Sequence, residues 1–177
     1  MKYIFDFDDV LFQTGRRRYE HMYPRLKKAG ISTHDIDEYY QKVRGELFSM
    51  KKLLAHFSLK EDYYEEMMRE IETFNNEELL KEIKKLGKSN CYIISYGDTE
   101  FQLDKIKRTG VASLFSEIIV VQESKKKMVE KICTKHKDEK VFFIDDKAEN
   151  FKDLDFKKYP NLKTILYTGQ NLESYLQ

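Results

Sequence analysis

Four short apolar runs in the second half of the chain, Cys91–Ser95, Ile118–Val121, Val141–Asp145 and Thr164–Tyr167, restrict the possible folds more than any other feature. Each is too short for a helix and has no polar face, which is the pattern of a strand buried on both sides. Helical spacing fills the gaps near Glu100–Thr109, Lys125–His136 and Ala148–Leu154. Strands alternating with helices predict parallel βαβ units with right-handed crossovers, hence an α/β fold with a Rossmann-like parallel sheet flanked by helices. The opening run, Lys2-Tyr3-Ile4-Phe5, belongs to the same sheet.

Between that first strand and the rest lies a long stretch with helical periodicity and no clear strand. Tyr19, Met22, Tyr23, Leu26 and Ala29 form one stripe, interrupted by Pro24, which should kink the helix or shift its start. Ile36, Tyr39, Tyr40, Val43 and Leu47 form a second, and Met50, Leu53, Leu54 and Phe57 a third. Tyr63, Tyr64, Met67, Met68, Ile71 and Phe74 form a fourth, after which Asn76 can cap a helix that Gly87 closes. The expected organisation is therefore an α/β core of residues 1–14 and 81–177, with residues 15–80 as an inserted α-helical unit.

The chain has 177 residues, 41% of them hydrophobic, with 12 Phe and 12 Tyr, enough for one packed core carrying an insertion. Its 32 basic residues nearly cancel 31 acidic ones, and a net charge of +1 argues against general binding to nucleic acid or to an anionic membrane. Cys91 and Cys133 each fall on apolar positions, so two buried thiols are expected rather than a disulfide, and they cannot form a zinc site alone. Neither a signal-peptide segment nor a membrane span is visible, so a soluble cytoplasmic protein is expected.

Ligands of such sheets gather beyond the carboxyl ends of the strands. There the sequence delivers Asp6 and Asp8, then Ser95, then Glu123 to Lys127, then Asp145 and Asp146. Alternation puts Asp6 and Asp8 on one side of an extended chain. Carboxylates held so close repel unless a cation lies between them or one is protonated. Asp6 is best placed to attack phosphorus and form an aspartyl-phosphate. Asp8 could protonate the leaving alkoxide and later take a proton from water. Asp145 and Asp146, with Asp6 and the backbone carbonyl of Asp8, could hold Mg²⁺; capping of the next helix is the structural alternative for Asp146. The Ser95 hydroxyl and the backbone of Tyr96-Gly97 could bind a phosphoryl oxygen. One lysine of Lys125, Lys126 and Lys127 could bridge nucleophile and phosphate. Lys125 is favoured because Met128, Val129 and Ile132 lie three, four and seven residues beyond it. Arg16, Arg17 and Arg18 could steer an anion, or form a solvated helix start.

These residues, in this order, resemble the haloacid dehalogenase-like (HAD) hydrolase superfamily, chiefly its magnesium-dependent phosphatases. The first motif stands as Ile4-Phe5-Asp6-Phe7-Asp8-Asp9-Val10-Leu11, the second as Ile93-Ile94-Ser95-Tyr96-Gly97. The third is Lys125, with Lys126 as a rival, and the fourth is Phe143-Ile144-Asp145-Asp146-Lys147-Ala148-Glu149-Asn150. Asp9 stands where Gly is frequent and Tyr96 where Asn is frequent, and the lysine is not followed by Pro. The resemblance implies a HAD-like core with a helical cap, Mg²⁺ held at Asp6, Asp8, Asp145 and Asp146, and a small phosphorylated substrate. A phosphomutase would use the same residues. A dehalogenase normally lacks the second aspartate, and a response-regulator receiver needs an acceptor aspartate on a third strand, where this chain has the insertion. A regulatory protein that kept the fold but turns over little or nothing is the remaining alternative.

Overall fold

The computed structural model describes residues 1–172. Five strands, β1 (Lys2–Phe5), β2 (Cys91–Tyr96), β3 (Glu117–Val121), β4 (Val141–Asp145) and β5 (Leu162–Leu166), form one wholly parallel sheet in the order β3-β2-β1-β4-β5. The chain steps outward from β1 to β2 and β3, then returns to place β4 on the other side of β1. That reversal between β1 and β4 is the topological switch point, where a crevice opens at the carboxyl edge.

Alternation along the central strands divides the interior in two. Tyr3, Phe5, Cys91, Ile93, Phe142 and Ile144 face one hydrophobic cluster, which they share with α6 (Glu77–Leu86), α7 (Thr99–Arg108) and the helical insertion. Ile4, Tyr92, Ile94, Val141 and Phe143 face the other, closed by Val129, Ile132 and Cys133 of α8 (Lys126–Lys135). Cys91 and Cys133 are both buried and free, on opposite sides of the sheet. Burial on both faces, expected for all strands, holds for β1, β2 and β4 only. The edge strands depart from it: β3 is exposed to half-buried throughout, and β5 is buried only at Leu162 and Ile165. An edge strand has one neighbour and thinner cover, so apolar composition alone did not distinguish it from a central one.

The insertion is entered and left through a paired neck. Gln13 N–H donates to the Phe74 carbonyl (2.8 Å), Asn76 N–H to the Leu11 carbonyl (2.8 Å), and Phe12 bridges Asn75. Between them run α1 (Thr14–Arg17), α2 (Tyr23–Lys28), α3 (Thr33–Lys42), α4 (Met50–His56) and α5 (Asp62–Met68). A π-helical turn, Arg18–Met22, joins α1 to α2. It stands just ahead of Pro24, whose missing N–H breaks the ordinary ladder, so Pro24 is absorbed by a bulge rather than a break. Ser32 and Asp35 close a reciprocal capping box on α3. The fourth apolar stripe is not one helix. α5 stops at Met68, Arg69 is extended, Glu70 is left-handed (φ 56°), and a 3-10 turn holds Ile71–Phe74. The segment Ala148–Leu154 likewise shortens to a 3-10 turn, Ala148–Phe151. Asn76 caps α6 as expected, its side chain accepting from Leu79 N–H (3.3 Å), and residue 80 lies inside that helix.

Candidate active site

Asp6 leaves the end of β1 and its side chain is only 5% exposed. Its Oδ1 accepts from the Phe7 N–H (2.7 Å) and lies 2.7 Å from Lys125 Nζ. The same ammonium lies 2.7 Å from Asp145 Oδ2 at the end of β4. Lys125 therefore ties together the two strand ends that flank the switch point. Lys126 points elsewhere, 3.9 Å from Glu130. The choice follows from the apolar face of α8: Val129 and Ile132 are buried against the sheet and bring Lys125 inward with them.

Asp145 is fully buried and both its oxygens accept hydrogen bonds. Oδ1 accepts from the Lys147 N–H (2.9 Å), both oxygens lie 2.9 Å from Asn150 Nδ2, and Oδ2 meets Lys125. Asp146 differs: its Oδ1 is buried with no hydrogen-bond partner. Carboxylate oxygens of Asp6, Asp145 and Asp146 lie within 4.8 Å of one another. Three acids face one ammonium, so the cluster keeps excess negative charge. Burial, aided by Asp145 and Asp8, pushes Asp6 up to about 7 against the pull of Lys125, and burial raises Asp146 as well. An orphaned carboxylate oxygen in an electron-rich, all-oxygen cluster fits a hard divalent cation. The residues that would hold it are Asp6, Asp145 and Asp146. The carboxylate of Asp8 lies outside this group.

Asp8 belongs to a second network. Its Oδ1 lies 2.6 Å from Lys105 Nζ and also accepts from the Thr14 hydroxyl; its Oδ2 accepts from Gln102 Nε2 (2.6 Å). These donors keep the Asp8 carboxyl below its ordinary range despite burial, which acts the other way. Lys105 Nζ lies among the rings of Phe7, Phe12 and Phe101, at 5.2, 5.6 and 5.3 Å from their centroids. The Gln102 amide also reaches Ser95 Oγ (3.1 Å) and the Tyr96 carbonyl (3.0 Å), coupling the first acid loop to the end of β2. Ser95 is buried, and the Tyr96 side chain is exposed. The Gly97 N–H donates to the Val121 carbonyl (2.9 Å), so in this arrangement it is committed to the sheet edge. Gly97 takes φ 156°, and a Cβ there would stand 2.7 Å from Gln102 Cγ. Asp9 has φ 55°, a left-handed conformation that Asp tolerates better than most residues. Its Oδ1 also accepts from the Gly15 N–H at the start of α1 (2.9 Å), a bond that Gly could not make.

Gln102, Lys105 and Thr14 went unread in the sequence, and Asn150 stood in the fourth motif without a role. A signal existed for the first two: they lie three apart on α7, on one face of a helix that follows the Ser95 strand.

These residues line a cavity of about 580 Å³ between the sheet edge and the insertion. Its far wall carries Arg17, Arg18 and Arg44 with Tyr40 and Phe48. Arg16 lies outside, exposed, and pairs with Glu20 at 2.7 Å. Arg17 is 3% exposed, and burial lowers its guanidinium to about 10, still charged at neutral pH.

No family model matches the sequence, and no curated protein matches it either. Solved structures do match in fold. A haloacid dehalogenase-like hydrolase of Burkholderia xenovorans superposes with a TM-score of 0.71 at 17% identity, over 98% of this chain and 84% of that one. A hydrolase of Streptococcus pneumoniae gives 0.58 at 20% identity, over 99% and 97%. The HAD-hydrolase YfnB of Bacillus subtilis, in a magnesium-bound structure, gives 0.57 at 16%, over 98% and 90%. At these identities the likeness is one of fold, and the chain has the fold of the haloacid dehalogenase-like hydrolases.

Proposed function

We propose that the protein hydrolyses the phosphate monoester of a small metabolite, dependent on Mg²⁺, through an aspartyl-phosphate on Asp6. One observation carries the reading: Lys125 bridges Asp6 and Asp145 at 2.7 Å beside the unpartnered buried oxygen of Asp146, with Asp6 and Lys125 on the wall of the cavity. The magnesium bound by YfnB, of the same fold, supports it. The helical insertion would serve as the cap that covers the substrate.

The Phe7 N–H and Lys125 hold one oxygen of Asp6, leaving the other free to attack phosphorus. A bond forms from that oxygen to phosphorus as the ester P–O bond breaks, and the leaving alkoxide takes a proton from Asp8. Water then attacks the acyl phosphate, Asp8 recovers the proton, and inorganic phosphate leaves with Asp6 regenerated. Lys105, Thr14 and Gln102 hold Asp8 as a carboxylate, the form needed for the second half. The first half needs its acid form, and an arriving phosphate dianion favours it, because like charge raises a carboxyl pKa. A divalent cation, when bound, would screen the carboxylates from the phosphate and polarise the phosphoryl group. The insertion, acting as a cap, would exclude competing water.

The test is phosphate release from p-nitrophenyl phosphate and a panel of phosphorylated metabolites, with Mg²⁺ or with EDTA, for wild type and Asp6→Asn. Magnesium-dependent turnover that Asp6→Asn abolishes is the expected result. Undiminished activity in Asp6→Asn would remove the proposed nucleophile. Magnesium binding without turnover across the panel would favour a regulatory role.

A further inference from the structure

Arg17 and Arg18 carry charge on the cavity wall that has no use in the chemistry above. On the sheet side the three acids that line the cavity beside the first strand have donors: Asp6 has Lys125, Asp8 has Lys105, and Asp9 has the Gly15 N–H. On the insertion side the balance is reversed. Arg17 donates Nη2 to the Met67 carbonyl (2.8 Å) and rests near Met68 Sδ (3.4 Å), yet its Nε is buried without a partner. Arg18 lies with its guanidinium carbon 3.5 Å from the Tyr40 ring centroid and donates Nη2 to Tyr23 (3.1 Å), and its Nε is likewise buried and unpartnered. Neither guanidinium makes an ion pair among the described residues, although Glu46 and Glu123 also line the cavity. A carbonyl can anchor a guanidinium, but it does not neutralise it. Burying an uncompensated cation is costly, and chains avoid it unless a counter-charge arrives.

We infer that Arg17 and Arg18 form a second anion site facing the phosphoryl site across the cavity, so that the substrate is a phosphate monoester bearing a second anionic group, a carboxylate or another phosphoryl. Guanidinium forks match both groups geometrically. The inference rests on the hydrolase reading, because it takes the acid cluster as the site of the reacting phosphate. Stacking on Tyr40 keeps Arg18 pre-oriented, which reduces the ordering cost when the anion binds.

Calorimetric titration in excess Mg²⁺ tests it with non-hydrolysable probes. Phosphonoacetate, 3-phosphonopropionate and 4-phosphonobutyrate are compared with methyl-, ethyl- and propylphosphonate, and 1,3-propanediphosphonate is added as the second-phosphoryl arm. Phenyl phosphate and 4-carboxyphenyl phosphate give the same comparison from kcat/KM. The expected result is at least one doubly anionic probe bound about 10- to 100-fold more tightly than its singly charged partner. The arm with the larger ratio identifies the group. Arg18→Met and Arg17→Met should each pull the ratio towards one. If Arg17→Met fails to fold, Arg18→Met, whose side chain is less buried, still decides the matter. A ratio near one at every length in the wild type would overturn the inference and leave the hydrolase reading intact. An undiminished ratio in Arg18→Met would also overturn it. Failure of every phosphonate to bind, with no ester hydrolysed, would overturn both.

Discussion

The pair Lys105–Asp8 holds α7 against the loop that leaves β1, and its two members should differ in what their loss costs. The Lys105 side chain is 4% exposed and that of Asp8 is 21%, with 2.6 Å between them. Lys105→Met keeps the long stem that packs among Phe7, Phe12 and Phe101. It leaves Asp8 with its Thr14 and Gln102 donors and with access to cavity water, so a loss of about 1–2 kcal/mol is expected. Asp8→Asn strands an ammonium among three aromatic rings. Removing one partner of a buried pair costs ~3–5 kcal/mol, and a lysine can always escape by losing its proton, which limits the cost at pH 7 to ~5 kcal/mol. Asp6 meanwhile loses a like-charged neighbour, which returns part of that cost. The expected net loss is about 2–4 kcal/mol, larger than for Lys105→Met. Urea unfolding of wild type, both single variants and Asp8→Asn/Lys105→Met completes the cycle, read as midpoint shifts at constant m. The double variant should be more stable than the sum of the single losses allows, by about 1–3 kcal/mol. Two single losses under ~0.5 kcal/mol that simply add would show the pair to be solvated and the reasoning wrong.

Two further outcomes test the same structure. His21 is buried, bonded through Nε2 to the Met67 carbonyl, and held down to about 4 by burial and by Arg25 and Arg17. The unfolded chain then binds the extra proton, so stability should fall by up to ~3 kcal/mol as pH drops from about 6.5 to about 4. Melting temperature against pH should flatten over that window in His21→Gln; an unchanged slope would place the titration elsewhere. Gly97→Ala puts a Cβ 2.7 Å from Gln102 Cγ and should cost about 1–3 kcal/mol while pushing the amide off Asp8 and Ser95. Adding Gln102→Ala should recover only the part of the loss that the clash causes, because φ 156° strains any L side chain at this position, and should not restore turnover. If it recovers none of the loss, the clash is not the cause.

The strand-end part of the candidate site was legible because its residues sit where strands stop. Apolar runs ending in Asp6, Ser95 and Asp145 are local patterns, and the amphipathic period of α8 favoured Lys125 over its rival Lys126, which the structure turns towards Glu130. The helix start at Asn76 is equally local, since its side chain caps a backbone N–H within the next turn. What failed was local in appearance but settled at a distance. The stripe from Tyr63 to Phe74 has helical spacing throughout, yet the neck requires Phe74 and Asn76 to pair with Gln13 and Leu11, and the helix gives way before them.

The sequence by itself determined a parallel α/β sheet, a helical insertion after its first strand, and the convergence of acids, hydroxyl and lysine on one sheet edge. Periodicity and strand ends are properties of consecutive residues, so they survive without coordinates. Which charges meet depends on how the elements pack. The tertiary structure separated Asp8 from the Asp6–Asp145–Asp146 cluster and gave it to Lys105, 97 positions away. It also took three consecutive arginines and left Arg16 in solvent while burying Arg17 on the cavity wall. Pairing of charges depends on packing between elements far apart in the chain, and no local pattern encodes that distance.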